Sequence, residues 1–414
     1  MLQVLYGNAT VGQLWSESRE LCFQYAASWV QSPNAFPLTP HLPLDLQIRR
    51  GDDVLFFFSN LLPEGAVLDA ILKLKRLPRG DIFAQLTAFG EDAAGAFSIV
   101  PEGNIRQRQP AYQPYPVENI HADLERLADH LPLLFQHGEL RLSLAGAQDK
   151  IPVHYADGQF QLPMNGAAST HILKPAIQPQ KTFPDSVLNE AFCLQLARHC
   201  GRAAVKAEVI SVPEPVLVVE RYDRRLQNGQ VQRLHQLDFC QLGGVLPDQK
   251  YAKDGGPGLA DIFGLIDHYA SVPGRDRLQV LDWVVFNYLI GNADAHAKNL
   301  AMLVGAGNRL QLAPLYDLLC TSVYPQLDTR MAMAIGGEYR PEWVQHRHWQ
   351  RFADEAGINF SLLQKRSLIL GKRVLDTIQP VAKTLGAEGN PLMASITKFV
   401  NKRAKWLESR LVKA

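Results

Sequence analysis

The spacing of apolar residues in this chain changes near residue 235, and the change decides the class of fold. Ahead of it, short segments alternate apolar and polar side chains in the manner of half-buried strands. Residues 2–6 (LQVLY) and 11–15 (VGQLW), joined through Gly7-Asn8, read as a hairpin, and Phe23 and Tyr25 continue the alternation. Beyond the change, residues 259–270, 276–291, 361–385 and 391–412 place apolar residues three and four apart, the period of amphipathic helices. Strands first and helices afterwards predict an α+β chain. In the last helix Ile396, Phe399, Val400, Trp406, Leu407 and Leu411 fall near one face. Its basic residues Lys398, Lys402, Arg403, Lys405 and Arg410 read as a solvated face rather than a nucleic-acid surface.

A length of 414 residues exceeds what one core serves, so several units are expected. The boundaries fall at 1–107 (β-rich), 108–235 (sheet plus helix) and 236–414 (helical). In the first, 33–50 carries four prolines and reads as loop, and 64–75 and 81–89 read as helices that open on an acid. Residues 101–116 hold four more prolines and read as a linker. After it come a helix at 117–130, strand-like 139–144, 150–155, 159–162 and 170–174, a helix at 186–199, and strands near 205–212 and 215–221. A formal charge of +1 selects neither nucleic acid nor membrane as a partner. The five cysteines form no C-x-x-C pair and read as buried free thiols. With neither a signal peptide nor a long apolar run in view, the expected location is cytoplasmic.

The stretch 287–304, NYLIGNADAHAKNLAMLV, is the most informative about chemistry. Asp294 follows an apolar helix in the small-residue turn Gly291-Asn292-Ala293, and Asn299 stands five positions on, before an apolar strand from Leu300. Phosphoryl transfer uses an acid and an amide at this spacing: the carboxylate addresses an acceptor hydroxyl, and the amide oxygen holds Mg²⁺. Chance supplies the spacing often, so its context carries the weight. Asp317, in PLYDLL after strand-like 309–313, would read alone as a turn or capping acid. With Asp294 and Asn299 it becomes the second metal-side carboxylate. Upstream, Lys174 ends the strand in THILKP, and Glu190 follows sixteen positions later on a helix. A strand lysine backed by such an acid can contact the phosphates of ATP. The loop SLAGAQDK (143–150) would let backbone N–H groups approach phosphate, although an ordinary hairpin turn is the simpler reading of it alone. VVERYDR (218–224) ends a strong strand where a hinge would meet adenine through its backbone.

These segments, in this order, resemble the HipA family, the serine/threonine kinase toxins of bacterial HipBA toxin–antitoxin modules. The resemblance rests on SLAGAQDK, HILK, NEAFCLQLA, VERYDR, HQLDFCQ, KYAKDGGPGLADI, GNADAHAKN and LYDL. GNATVGQLW, NLLPEG and GEDAAGAFSIVPEG are similar to the family's N-terminal subdomain. It implies a two-lobed protein-kinase-like fold, with an extra β-rich N-terminal subdomain and an all-helical C-terminal lobe. Ala145, Gly146, Ala147, Gln148, Asp149 and Lys150 would form the nucleotide loop, with Lys174 on the phosphates and Glu190 as its structural ion-pair partner. Glu220, Arg221 and Tyr222 would form the hinge, Tyr222 standing where phenylalanine is common. Asp294 and Lys298 would be catalytic, His296, Asn299, Tyr316 and Asp317 would complete the ATP site, and Asn299 and Asp317 would hold Mg²⁺. Ser143 matches the serine that family members autophosphorylate to inactivate themselves. The implied partners are a HipB-like DNA-binding antitoxin, with operator DNA reached through it, and a protein substrate among translation components, glutamyl-tRNA synthetase being the leading aminoacyl-tRNA synthetase. Two other readings stay open: a small-molecule kinase with the same catalytic parts, and a corepressor acting mainly on an antitoxin–DNA complex.

Overall fold

The computed structural model describes residues 1–91, 95–104, 110–128, 148 and 150–412. They form two compact units. One comprises Met1–Pro175, Ile210–Pro247 and Leu303–Arg309; the other comprises Ala176–Val209, Asp248–Met302 and Leu310–Ala414.

The first unit is built on two antiparallel sheets. The hairpin of Leu2–Tyr6 and Ala9–Glu17 turns at Gly7, whose φ of +57° suits a residue without Cβ. It lies in a five-stranded sheet ordered Arg49–Arg50, Glu20–Tyr25, Ala9–Glu17, Leu2–Tyr6, Phe97–Pro101. Helices Gly65–Lys75 and Ile82–Phe89 form as expected, the second capped by Asp81, which accepts the Ala84 N–H at 2.9 Å. Helix Asp52–Ser59 is absent from the sequence reading. Eight residues are too few to display a period, yet two acids favour its positive end and Val54, Phe57 and Phe58 bury its inner face.

The second sheet is ordered Ala207–Val212, Glu214–Glu220, His171–Lys174, Ile151–Ala156, Gln159–Met164, Ala111–Pro114. Ile120 of helix Val117–Ala128 joins Ile151, Val153, Phe160, Leu162, Leu173, Val216 and Val218 in one apolar core. The linker expected over 101–116 is corrected here, because Ala111–Pro114 pairs with Gln159–Met164 as an edge strand. An edge is where a strand tolerates proline, since half its backbone groups need no ladder partner. The strand expected at 139–144 lies outside the described residues.

The second unit is mainly helical, with Ser186–His199, Leu259–Tyr269, Pro273–Ile290, His346–Glu355, Phe360–Thr384 and Pro391–Val412. Val280 to Ile290 are buried on every side, the polar Asp282 and Asn287 among them, and the two long C-terminal helices pack against this helix. Helix His346–Glu355 escapes the sequence reading because only Trp349, Phe352 and Ala353 of its ten residues are buried. Arg403 corrects another expectation. It is 4% exposed, and its guanidinium lies 5.3 Å, 4.9 Å and 5.0 Å from the ring centroids of Tyr288, Phe399 and Trp406. Burial lowers its pKa, and the ring faces supply the negative potential that water would otherwise supply. Lys398, Lys402 and Lys405 are exposed as expected. All five cysteines are buried and free. Among the described residues no helix is long and apolar enough to cross a membrane.

His235, in the first unit, gives its stability a pH dependence. Its Nε2 meets Leu38 O at 2.7 Å, and its ring stacks on Phe36 at 5.3 Å. Burial pushes its pKa from 6.5 down to about 4. The unfolded chain therefore binds a proton that the native protein refuses. This stability is complete above pH 6.5 and is lost as pH falls toward 4, by at most about 3 kcal/mol. Denaturant titrations at pH 7 and pH 5 are expected to show the loss in the wild type. His235→Phe, although less stable at pH 7, is expected to show a smaller difference between the two.

Candidate active site

The site begins where the buried helix Pro273–Ile290 ends. Gly291, at φ +72°, closes the helix, and the N–H groups of Gly291 and Asn292 both bond Asn287 O at 3.0 Å. A side chain at 291 would have no room, since a Cβ there would lie 2.3 Å from Phe399 Cε1. The Asn292 amide nitrogen donates to Asn287 Oδ1 at 2.9 Å and to Asp317 O at 3.3 Å, while its oxygen accepts the Asp294 N–H at 3.2 Å. Thr321 Oγ1 accepts the Ala293 N–H at 2.8 Å and donates to Gly291 O at 3.1 Å. The turn is thus fastened on both sides before it presents any functional group.

Asp294 projects from this turn with a side chain 51% exposed. Its Oδ1 accepts the Tyr251 hydroxyl at 2.8 Å, and His296 Nε2 lies 4.0 Å from its Oδ2. A single 3₁₀ turn, Ala297–Asn299, follows, in which Asn299 Oδ1 accepts the His296 N–H at 3.0 Å. Asn299 Nδ2 donates to Asp317 Oδ2 at 2.8 Å, and Tyr316 Oη donates to Lys298 O at 2.6 Å. Asp294, His296, Lys298, Asn299, Tyr316 and Asp317 are therefore gathered in one place. Asp317 itself has φ +58°, a region that side chains other than Gly, Asn and Asp seldom enter.

Four supports of this cluster escaped the sequence reading. Tyr251 lies 43 positions from its acid. Asn189, next to Glu190, brackets Cys320 by accepting its N–H at 2.8 Å and donating to its O at 3.0 Å. Asn292 read in the sequence only as part of a small-residue turn, and Asn287 only as the first residue of the stretch 287–304. Glu190 is 4% exposed on the same helix as Asn189.

The other expected residues belong to the sheet-rich unit. Lys174, at the end of its strand, is 8% exposed, and Gln148 Nε2 donates to Pro175 O at 3.2 Å. Lys150 is half-buried and Glu220 ends its strand opposite His171. Arg221 forks onto Asp223 at 3.0 Å and 2.7 Å, and Arg224 joins the same carboxylate at 2.8 Å. Burial acts to raise the Asp223 pKa, but the two guanidinium groups overcome it and hold the carboxyl at about 2. Arg221 also gives its N–H to Thr170 O at 2.9 Å, so its side chain and amide are both committed within the unit. Tyr222 Oη bonds the side-chain oxygen of Gln236. Ser143, Ala145, Gly146, Ala147 and Asp149 lie outside the described residues.

A carboxylate and an amide oxygen are hard donors of the kind Mg²⁺ selects, and Mg²⁺ takes few protein ligands when phosphates and waters supply the rest. Asn299 Oδ1 retains a lone pair beside its bond to His296, so the pair Asn299 and Asp317 fits that ion. Among the described residues no trio of His, Cys, Asp and Glu forms a cage for another kind of metal.

An α+β chain with antiparallel sheets, a mainly helical unit and an acid, an amide and a second acid on two hydrogen-bonded loops has the form of a two-lobed protein-kinase-like phosphotransferase. Residues 2–100 match the HipA N-terminal domain, and residues 142–386 match the HipA-like C-terminal domain. The chain belongs to the HipA kinase family. It is 39% identical over 394 residues to a protein of Sinorhizobium fredii named as a putative kinase, covering 93% of this chain and 92% of that protein. It is 30% identical over 397 residues to the serine/threonine-protein kinase toxin HipA of Shewanella oneidensis, covering 92% and 89%. The structure of the Shewanella oneidensis HipA, solved with HipB and operator DNA, superposes with a TM-score of 0.83 at 28% identity, covering 99% of this chain and 96% of that one.

Gly291→Ala tests the geometry of the turn. Positive φ costs about 1 kcal/mol in a residue with Cβ, and overpacking against Phe399 adds roughly 1–3 kcal/mol. A lowered melting temperature is expected, together with a loss of phosphotransfer that persists at temperatures where the variant is fully folded. Unchanged activity would show that the position of Asp294 does not depend on this turn.

Proposed function

We propose that this chain is a serine/threonine protein kinase toxin that moves the γ-phosphoryl group of ATP to a hydroxyl of a protein. The observation that carries the reading is the 2.8 Å bond between Asn299 and Asp317 beside Asp294, at the end of one buried helix. Asp294 would orient the acceptor hydroxyl and take its proton. The acceptor oxygen bonds to the γ-phosphorus as the bond from that phosphorus to the β–γ bridging oxygen breaks, and ADP leaves. Lys174 and Lys298 would offset charge on the phosphoryl group, with Glu190 orienting Lys174. Mg²⁺ on Asn299 and Asp317 would neutralise charge on the phosphates. Residues 145–150, Glu220, Arg221, Tyr222, His296 and Tyr316 would bind the nucleotide. Such catalysis is positioning and electrostatics, so a single lost group is costly.

For regulation and targets the resemblance to the HipA family supports the following reading. Phosphorylation of Ser143 by the kinase itself would displace the nucleotide loop and switch the enzyme off. A HipB-like antitoxin would neutralise it and connect it to operator DNA, a reading supported by the complex in which the Shewanella relative was solved. An aminoacyl-tRNA synthetase such as glutamyl-tRNA synthetase is the proposed substrate, and the cytoplasm the proposed location.

Asp294→Ala is expected to lower phosphotransfer at least about a thousandfold while ATP binding, read by calorimetry, changes little. Comparable turnover would sink the assignment. With γ-labelled ATP and a cell extract, label is expected on protein; label confined to metabolites would favour the small-molecule kinase. Mass spectrometry of the wild type incubated with ATP is expected to place a phosphate on Ser143, absent from Asp294→Ala. Phosphate mapped only elsewhere would reject the self-inactivation.

A further inference from the structure

A cavity of about 210 Å³ opens within the helical unit, among Gly201 to Ala203, the first half of helix Pro273–Ile290 and the segment from Leu312 to Leu315. Arg202, Arg275 and Arg366 line it, with Gln279 and one acid, Asp282. The acid is buried and already answered. Arg366 Nε reaches its Oδ1 at 3.1 Å and Nη2 its Oδ2 at 2.6 Å, and Arg202 Nη1 bonds the same Oδ2. Arg275 places Nε and Nη2 on Asp276 Oδ1, both at 2.9 Å, while Asp276 Oδ2 accepts the Leu312 N–H at 3.1 Å. Arg202 gives its Nε to Cys200 O at 3.3 Å.

Each guanidinium therefore retains one terminal nitrogen that bonds no atom among the described residues: Nη2 of Arg202, Nη1 of Arg275 and Nη1 of Arg366. Arg202 Nη2 and Arg366 Nη1 are not among the buried polar atoms that lack a partner and so reach solvent, and the Arg275 side chain is 46% exposed. The Gln279 amide is likewise unused. A structural clamp on Asp282 needs Arg202 and Arg366, but it does not need Arg275, nor three remaining donors in residues that share one cavity. Three cations against two carboxylates leave a positive excess. Arg373 adds to it, its Nη1 lying 3.7 Å from where a Cβ on Gly201 would stand. Burial, and then Arg366 and Arg373, depress the Arg202 pKa.

We propose that this cavity binds a phosphate-class oxyanion, either free phosphate or the phosphoryl group of a small organic phosphate. Three guanidinium groups lining one cavity match the several acceptor oxygens of such an anion better than a single lysine would. The volume is below the ~300 Å³ at which drug-sized pockets begin, so the enclosed part suits a small anion. Leu278, Leu312 and Leu315 offer an apolar wall for a short carbon body. The proposal stands apart from the kinase reading, since none of these residues belongs to the nucleotide or metal set.

The test holds the nucleotide site filled with Mg²⁺ and a non-hydrolysable ATP analogue, so that added phosphate reports on another site. Inorganic phosphate, titrated against chloride at matched ionic strength, is expected to raise the melting temperature saturably. Arg275→Gln and Arg366→Gln are each expected to raise the half-saturating concentration about tenfold, the usual effect of losing one charge-assisted bond. Arg366→Gln leaves Asp282 its bond from Arg202; if either variant fails to fold, the other and the wild type decide. Crystals soaked in tungstate are expected to show an anomalous peak among Arg202, Arg275 and Arg366. Tighter binding of glycerol 3-phosphate than of phosphate would assign an organic phosphate, and equal binding the free ion. No saturable rise in the wild type, a rise unaffected by a folded variant, or tungstate bound only elsewhere would each overturn the site.

Discussion

The side chain of Asn292 bonds in three directions at a position only 5% exposed to water. It holds the last turn of the buried helix through Asn287, the segment of the second acid through Asp317 O, and the main chain of the first acid through the Asp294 N–H. An aspartate there could accept but not donate, and an alanine would take this partner from the buried Asn287 Oδ1 and from the part-buried Asp317 O and Asp294 N–H. In a low-dielectric interior each such orphan costs about 1–3 kcal/mol. A satisfied polar network of this kind specifies one arrangement of the chain where apolar packing would tolerate several.

The same unit places its remaining buried charges by different physical means. Arg403 is carried by aromatic faces on helix Pro391–Val412 and on the buried helix, which joins the two by electrostatics as well as by shape. Asp282 is carried by two arginines, one from the loop after helix Ser186–His199 and one from helix Phe360–Thr384. In the sheet-rich unit Asp223 is carried by Arg221 and Arg224 within three residues of chain. Removing one partner of such a set strands the others, so buried charge acts here as a specification of position more than as a source of stability.

What could be read from the sequence follows the range of the interaction involved. Helix Pro391–Val412 and the hairpin at Gly7 are written locally, in an apolar period and a turn residue, and both form where expected. The spacing of Asp294 and Asn299 is also local. Nothing local marks Tyr251 as the partner of Asp294, or Asn189 as the bracket for Cys320 131 positions away. Helix His346–Glu355 failed to register because tertiary burial of three residues, not a broad apolar face, holds it. Arg403 was misread for a related reason. A polar label on a helical wheel says nothing about whether rings lie opposite it.

Asp317 shows how these constraints meet. Its φ of +58° carries a cost that glycine would not pay. The flanking chain leaves it little choice: Tyr316 Oη bonds Lys298 O on one side, the Asp317 carbonyl accepts from Asn292, and Asn189 grips Cys320 three residues on. A turn needed only to reverse direction would relax with glycine at this position. A turn that must present a carboxylate to Asn299 cannot use glycine, because the carboxylate is what it presents. Asp317 therefore joins a φ that aspartate tolerates to the carboxylate that Asn299 binds.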